Sequence, residues 1–141
     1  HNIVTRIDDF ISHNDLRIDS EGYILAYKVV KHDYLDKYTG KMDNTPGNLV
    51  KMKRNQVNPN QEDTCSFGLH VAAKKYIPKY GHPSLSTGGD RVVLCRVNPK
   101  DFVSIPTDYD SMKARVCEYL VLKDVTELFV NGEELDDGIT V

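Results

Sequence analysis

The pattern of apolar and polar positions predicts a helix followed by a series of strands. Apolar residues recur with helical spacing from Ile3 to His13, which predicts a first helix with one apolar stripe. Further along, short runs rich in β-branched and aromatic residues are separated by polar stretches with turn residues, which is typical of strands joined by loops. The predicted strands are Tyr23–Val30, Leu49–Met52, Cys65–Val71, Arg91–Val97, Phe102–Ile105 and Lys113–Leu122.

The connections between these strands indicate the fold class. Residues 31–48 are polar and include Asp43–Gly47, which predicts a long loop. A helix is predicted at Ala72–Tyr80, and Asn131-Gly132 predicts a hairpin turn over Phe129–Glu133. Because strands and helices do not alternate regularly, we predict an α+β fold. It would be a single domain with a mixed, mostly antiparallel sheet, an N-terminal helix and one inserted helix.

Length and composition limit the classes of protein that fit. The 141 residues predict one domain, 1–141, with a C-terminal extension at 123–141 that has an acidic tail. With a net charge of −3, the chain as a whole is not biased toward nucleic acid or anionic membranes. Its three cysteines form no C-x-x-C pair, which favours reduced thiols inside a cell. The chain begins with His1 and carries no signal peptide, so we expect a domain excised from a longer protein.

Four ionisable residues lie in runs that otherwise look buried: Lys28, His70, Arg96 and Glu118. A charge that points into an apolar face needs a partner, a shifted pKa or a cleft. One interpretation is that these residues converge on a ligand-binding or catalytic pocket. The other is that this side of the sheet is solvated, or that Lys28 or Arg96 neutralises Glu118 as a structural pair.

Other motifs give weaker signals. No ligands stand at zinc spacing, so neither a metal nor a cofactor is expected, and Cys95 and Cys117 are read as core residues. Cys65 and His70 resemble a nucleophile and base, but neighbours on one strand rarely have that geometry. Gly88-Gly89-Asp90 lacks the lysine of a phosphate loop and is read as a turn.

One basic cluster is a candidate for nucleic-acid binding. It consists of Lys51, Lys53 and Arg54. A basic patch on a net-acidic domain can still contact phosphate, although it is more often a solvated face. Nucleic acid is therefore an alternative partner and not the expected one.

Residues 10–122 resemble the rIIB-like proteins of tailed phages. Six blocks in order carry the resemblance: Glu21–Lys28, Tyr38–Gly47, Val50–Val57, Thr64–Val71, Val97–Pro106 and Lys113–Tyr119. The resemblance implies a phage accessory protein in the cytoplasm of the infected bacterium. Its role would be in lysis timing and in counteracting host exclusion, with a phage or host protein partner and peripheral association with the inner membrane through that partner. It implies no catalytic residue.

A second resemblance, to ADP-ribosyltransferase-like domains, concerns fold only. It implies a possible small nucleotide ligand and, if the chain is an enzyme, roles for Glu118 as the late acid and Tyr76 as the middle residue. Lys28 stands where that family has Arg or His, which puts activity in doubt. A shared fold does not establish a shared function.

Overall fold

A computed structural model of the chain describes residues 3–14, 16–60, 62, 68–106 and 112–131. Three α-helices are present in these ranges: α1 (Ile3–His13), α2 (Ile77–Tyr80) and α3 (Thr126–Val130). Short 3-10 turns cover Arg54–Gln56, Lys74–Tyr76 and Pro99–Asp101. The strands are β1 (Ile24–Val30), β2 (Leu49–Lys51), β3 (Leu69–Ala72), β4 (Arg91–Val97), β5 (Phe102–Ser104), β6 (Lys113–Val116) and β7 (Glu118–Asp124).

These strands form one seven-stranded sheet in the order β2-β7-β4-β1-β3-β6-β5. Every pairing between the seven strands is antiparallel. The predicted α+β class and the N-terminal helix are therefore confirmed, whereas the strands described here form an antiparallel sheet and not a mixed one. None of the described helices is long and apolar enough to cross a membrane.

The predicted single strand Lys113–Leu122 is wrong, because Cys117 divides it into β6 and β7. Three strands lie between β6 and β7 in the sheet, so a flat sheet would separate them by about 19 Å, at about 4.8 Å per strand. One linking residue spans only about 7 Å between its two neighbours. The sheet must therefore curl until these two strands meet at Cys117, which makes this residue a corner of the fold.

Hydrogen bonds around this corner bring the two ends of the sheet together. The Cys117 amide donates to the Asp101 carbonyl (2.9 Å), and the Cys117 carbonyl accepts from the Met52 amide (2.9 Å). The Arg54 guanidinium donates to the carbonyls of Lys100 (2.7 Å) and Phe102 (2.9 Å). The segment after β2 is thus tied to the turn before β5 and to the first residue of β5.

The central strands β1 and β4 are buried on both faces, except at a few charged positions. Phe10 of α1 packs on Phe102 with ring centroids 5.9 Å apart, and Phe129 of α3 packs edge-on against Tyr27 at 5.5 Å. The predicted apolar stripe of α1 holds in part, because Phe10 is fully buried whereas Val4 is 64% exposed. Burial on both faces explains why these strands are almost continuously apolar.

The hairpin predicted over Phe129–Glu133 is also wrong in its described part. The chain forms α3 there, and Asn131 ends that helix. The Asp124 carboxylate accepts from the Thr126 amide (2.9 Å) and hydroxyl (2.6 Å), which starts a helical turn directly after β7. Residues 132–141, including the acidic tail, lie outside the described residues, so the predicted domain and extension boundaries stay predictions.

Gly68, at the start of β3, has no room for a side chain. Its φ is +148°, and an added Cβ would lie 2.8 Å from Val57 Cγ1. We expect Gly68→Ala to lower the free energy of unfolding by about 2–4 kcal/mol, through backbone strain and overlap together. Gly47→Ala is the matched control, because Gly47 has a φ of +98° and open space around it, so only strain of about 1–2 kcal/mol is expected. Equal losses in urea unfolding would contradict the close approach to Val57.

The contacts of Arg54 predict a structural role. Replacing it with methionine removes two charge-assisted hydrogen bonds, one to the Lys100 carbonyl and one to the Phe102 carbonyl in β5. We expect a loss of about 1–2 kcal/mol in the free energy of unfolding. Lys53→Met removes the same charge from an exposed neighbour and should change stability by less than about 0.5 kcal/mol. Chemical denaturation of both variants measures the difference, and similar losses would rule out the proposed tie.

Candidate ligand-binding site

A cavity of about 370 Å³ opens where β1, β3 and β7 meet the loop after β1. Its walls are mostly apolar, and a few polar side chains reach it. We call it the Lys28 cavity and define it by the residues Lys28, Asp36, Met42, His70, Val71 and Tyr119. A concave, largely apolar site with a few convergent polar groups is typical of small-molecule binding.

Lys28 reaches the cavity because of its position in β1. It lies opposite Val93 in β4, next to the Ala26–Cys95 pair, so its side chain shares a face with apolar neighbours. Its Nζ donates to the His70 carbonyl at 2.7 Å and lies 5.8 Å from the centre of the Tyr119 ring. The strands β1 and β3 share one register pair, Tyr27–Ala72. The hydrogen bond from the Lys28 side chain to the His70 carbonyl is a second link between these two strands.

The surroundings of Lys28 are unfavourable for its charge. Burial lowers the pKa of the Lys28 ammonium, and the charges of Cys95 and Asp36 would counter this only in part. Burial also raises the pKa of the Cys95 thiol to about 12, so this thiol is neutral near pH 7. Asp36 is therefore the anion that acts on Lys28 under those conditions.

Asp36 is a buried residue of the cavity wall and organises the loop after β1. Its carboxylate accepts from the Thr39 amide (2.6 Å) and hydroxyl (2.7 Å), the Met42 amide (2.8 Å) and the Lys41 amide (3.0 Å). Burial alone would raise the pKa of Asp36, but these hydrogen bonds lower it to about 2. The carboxylate is thus ionised, and its oxygens are occupied by the loop that it holds.

His70 is a neutral group in this site. Burial, followed by the charges of Lys28, Arg115 and Lys113, lowers the pKa of His70 to about 3. Arg115 lies directly opposite His70 in the sheet and is fully buried. Its guanidinium donates to the carbonyls of Asn58 (2.9 Å) and Asn60 and to the Ser104 hydroxyl (3.1 Å).

The structure brings two of the four predicted charges together and not the other two. Lys28 and His70 line the cavity, whereas Arg96 and Glu118 are not among its lining residues in the described part of the chain. The pleat explains this, because Arg96 pairs with Leu25 and therefore faces away from Lys28. As a ligand-binding set, the four residues stay a prediction.

Arg96 has contacts of its own, and Glu118 lies opposite a lysine of the neighbouring strand. Arg96 lies over the Tyr23 ring at 4.3 Å, and its Nη1 is 3.6 Å from a Glu21 carboxylate oxygen. Glu118 begins β7 and lies opposite Lys51 in β2. The described part of the chain holds no ion pair between Glu118 and either Lys28 or Arg96, and the residue directly opposite Glu118 is Lys51.

The other candidate residues are distributed as follows. Tyr76 lines the cavity, and its ring lies 5.9 Å from the Lys113 Nζ. Glu118 is not among the described lining residues, so the three residues named for an enzyme, Lys28, Tyr76 and Glu118, do not all line this cavity. Lys51, Lys53 and Arg54 are all exposed, and Arg54 also donates to the carbonyls of Lys100 and Phe102. Cys65 lies outside the described residues, and the described ranges contain no cluster of three metal-ligating side chains.

Comparison with known proteins identifies the family. A family model described as "Bacteriophage T4 protein rIIB" matches residues 1–128. The chain is also 46% identical over 126 residues to Protein rIIB of Enterobacteria phage T4. The chain belongs to the rIIB family.

The rIIB-like resemblance read from six sequence blocks is thereby confirmed. The match covers 89% of this chain but 39% of the phage T4 protein, so the chain spans less than half of that rIIB relative. No solved structure matches the chain. The ADP-ribosyltransferase-like resemblance accordingly stays a hypothesis about fold.

Sequence reasoning missed two polar residues of the Lys28 cavity, Asp36 and Tyr119. Asp36 had a usable signal, because a carboxylate three residues before Thr39-Gly40 is typical of a side chain that caps a turn. Tyr119 had none. It faces Lys28 only because the chain turns at Cys117, and its hydroxyl then donates to the buried Asn44 side chain.

The shifted pKa of Asp36 predicts a pH-dependent stability. The folded-state pKa of about 2 lies below the ordinary value of 3.8, so the carboxylate stabilises the fold above about pH 4 and loses this effect as the pH falls toward 2. We expect Asp36→Asn to lower the free energy of unfolding by about 1–2 kcal/mol at pH 6. Urea unfolding should show this difference shrinking between pH 4 and pH 2, whereas a constant difference would contradict the assignment.

Proposed function

We propose that this rIIB-family chain is a non-catalytic binding domain that acts during phage infection by holding a small ligand in the Lys28 cavity. Its biological role would be in lysis timing and in counteracting host exclusion. We infer that it works in the host cytoplasm, together with a phage or host protein that can bring it to the inner membrane face.

The single observation that carries the proposal is the cavity itself. It is preformed, and its volume of about 370 Å³ falls in the range of small-molecule sites, about 300–1,000 Å³. Its polar groups come from separate parts of the chain, with Lys28 on β1, His70 on β3 and Asp36 on the loop between β1 and β2. A purely structural void would have no need for a lysine amine in its wall.

The arrangement of the charges favours binding over catalysis. General acid–base chemistry requires groups within hydrogen-bond reach of one reacting site. Glu118, the candidate acid, begins β7 opposite Lys51 and is not among the described residues around the cavity. His70 has a pKa of about 3 and therefore lacks the value near 7 that suits a general base.

One feature favours a protein partner near the same site. Tyr38 lines the cavity and is 71% exposed. Exposed tyrosines are enriched in protein interfaces because a large ring is combined with a polar tip. A partner that contacts Tyr38 would lie over the cavity and could respond to its occupancy.

A cavity-filling variant tests this proposal. Met42 is half-buried in the wall, so Met42→Trp should occupy the ligand space without disturbing the sheet. We expect phage that carry this change to lyse their host with the altered timing of a strain lacking the gene. Leu85→Trp adds the same ring at a position that is 50% exposed, and lysis should follow the parent time course.

Lysis is followed by culture turbidity, and folding of both variants is checked by circular dichroism. Parental lysis timing with a folded Met42→Trp protein would refute a role for the cavity in infection. Native mass spectrometry of the chain purified from infected cells gives a second readout, in which the wild type and Leu85→Trp should carry a bound mass that Met42→Trp lacks.

A further inference from the structure

The Lys28 cavity has an excess of positive charge. Four lysines line it, against the single carboxylate of Asp36, while His70 is neutral there: Lys28, Lys37, Lys41 and Lys113. Lys37 pairs with Asp90, which lies outside the lining, at 2.6 Å. Asp36 accepts four hydrogen bonds from its own loop, and in the described part of the chain it forms no ion pair with a lysine.

The Lys28 ammonium has more N–H donors than the described residues accept. An ammonium carries three N–H groups, and the described residues accept one of them, through the His70 carbonyl. No carboxylate of the described chain lies within 4.0 Å of the Lys28 Nζ. A partly desolvated ammonium without an anion in contact is costly, and an anion brought by a ligand would offset that cost.

The remaining walls suit an apolar body. Val71, Met42 and Ile77 face the space, together with the rings of Tyr76 and Tyr119. Methionine adapts its shape to a ligand, and aromatic rings contribute large contact areas. A fully charged molecule such as a free phosphate ion would leave these apolar walls uncovered.

We propose that the Lys28 cavity binds a small molecule with an apolar body and a single anionic group, and that the Lys28 ammonium pairs with that group. This inference rests on the proposed function and adds the chemical class of the ligand. A carboxylate and a phosphate monoester present the same anionic oxygens to Lys28, so both belong to this class.

Calorimetric titration with matched amphiphiles tests the inference. The probes are decanoate, decyl phosphate, neutral decanamide and cationic decylamine, with adenosine monophosphate as a polar phosphate. We expect decanoate or decyl phosphate to bind at least about tenfold more tightly than decanamide, since a hydrogen bond to a charged group contributes about 1.5–3 kcal/mol. Which of the two binds more tightly separates a carboxylate from a phosphate ligand. If adenosine monophosphate bound most tightly of all the probes, the inference that the ligand has an apolar body would be wrong.

Lys28→Met tests the role of the amine. Methionine keeps the length and apolar stem, and the swap should not unfold a protein whose neighbouring side chains are apolar. We expect decanoate to bind about tenfold more weakly to this variant and decanamide to bind as before. Lys100→Met is the matched control, because this side chain is 72% exposed and lies outside the cavity.

A measurement on the wild type covers the case in which Lys28→Met does not fold. Bound decanoate should protect Lys28 from reductive methylation, read by mass spectrometry, and leave Lys100 reactive. Equal binding of decanoate and decanamide, or unchanged reactivity of Lys28, would overturn the inference while the cavity remained a binding site. Failure of every probe to bind a folded wild-type protein would overturn the proposed function as well.

Discussion

The rest of this structure depends on one covalent constraint, the single residue between β6 and β7. Because Cys117 alone joins strands that are separated by three others, the sheet cannot lie flat. Its curvature buries both faces of β1 and β4, which accounts for a core built from long apolar strands. The same curvature brings Tyr119 from one side of the sheet toward Lys28 in the middle. Neither the core nor the cavity would exist without that turn.

The cavity follows from this constraint and from the chemistry of a few polar groups. A curled sheet encloses space, and the Asp36 loop covers part of it because one carboxylate gathers four donors. Lys28 then lies in surroundings where its charge is poorly compensated. Lysines are uncommon in cores unless they meet a partner, which is why the proposed binding role rests on the lysine and not on the apolar wall.

Local patterns predicted the local structure well. The helix of residues 3–13 and the strands β1 and β4 lie where their periodicity indicated, because propensity and burial agree there. The division at Cys117 could not be predicted, since Lys113–Leu122 is continuous in β-forming residues and only long-range pairing reveals the break. Long-range pairing also explains why the site was predicted only in part. Lys28 was identified as a charge in an apolar strand, but its separation from Arg96 and Glu118 depends on a register that the sequence does not state.

The corner at Cys117 also determines which side chains of β7 point to each face of the sheet. Side chains alternate along a strand, so one extra residue beside Cys117 would exchange the two faces of all that follows. Glu118 and Leu120 would then turn toward the interior, and Tyr119 and Val121 would turn outward. In the loop of residues 31–48, by contrast, an added residue would not reverse the two faces of any strand. Tolerance to changes of chain length is therefore distributed very unevenly in this fold, and the least tolerant point is a bend of one residue.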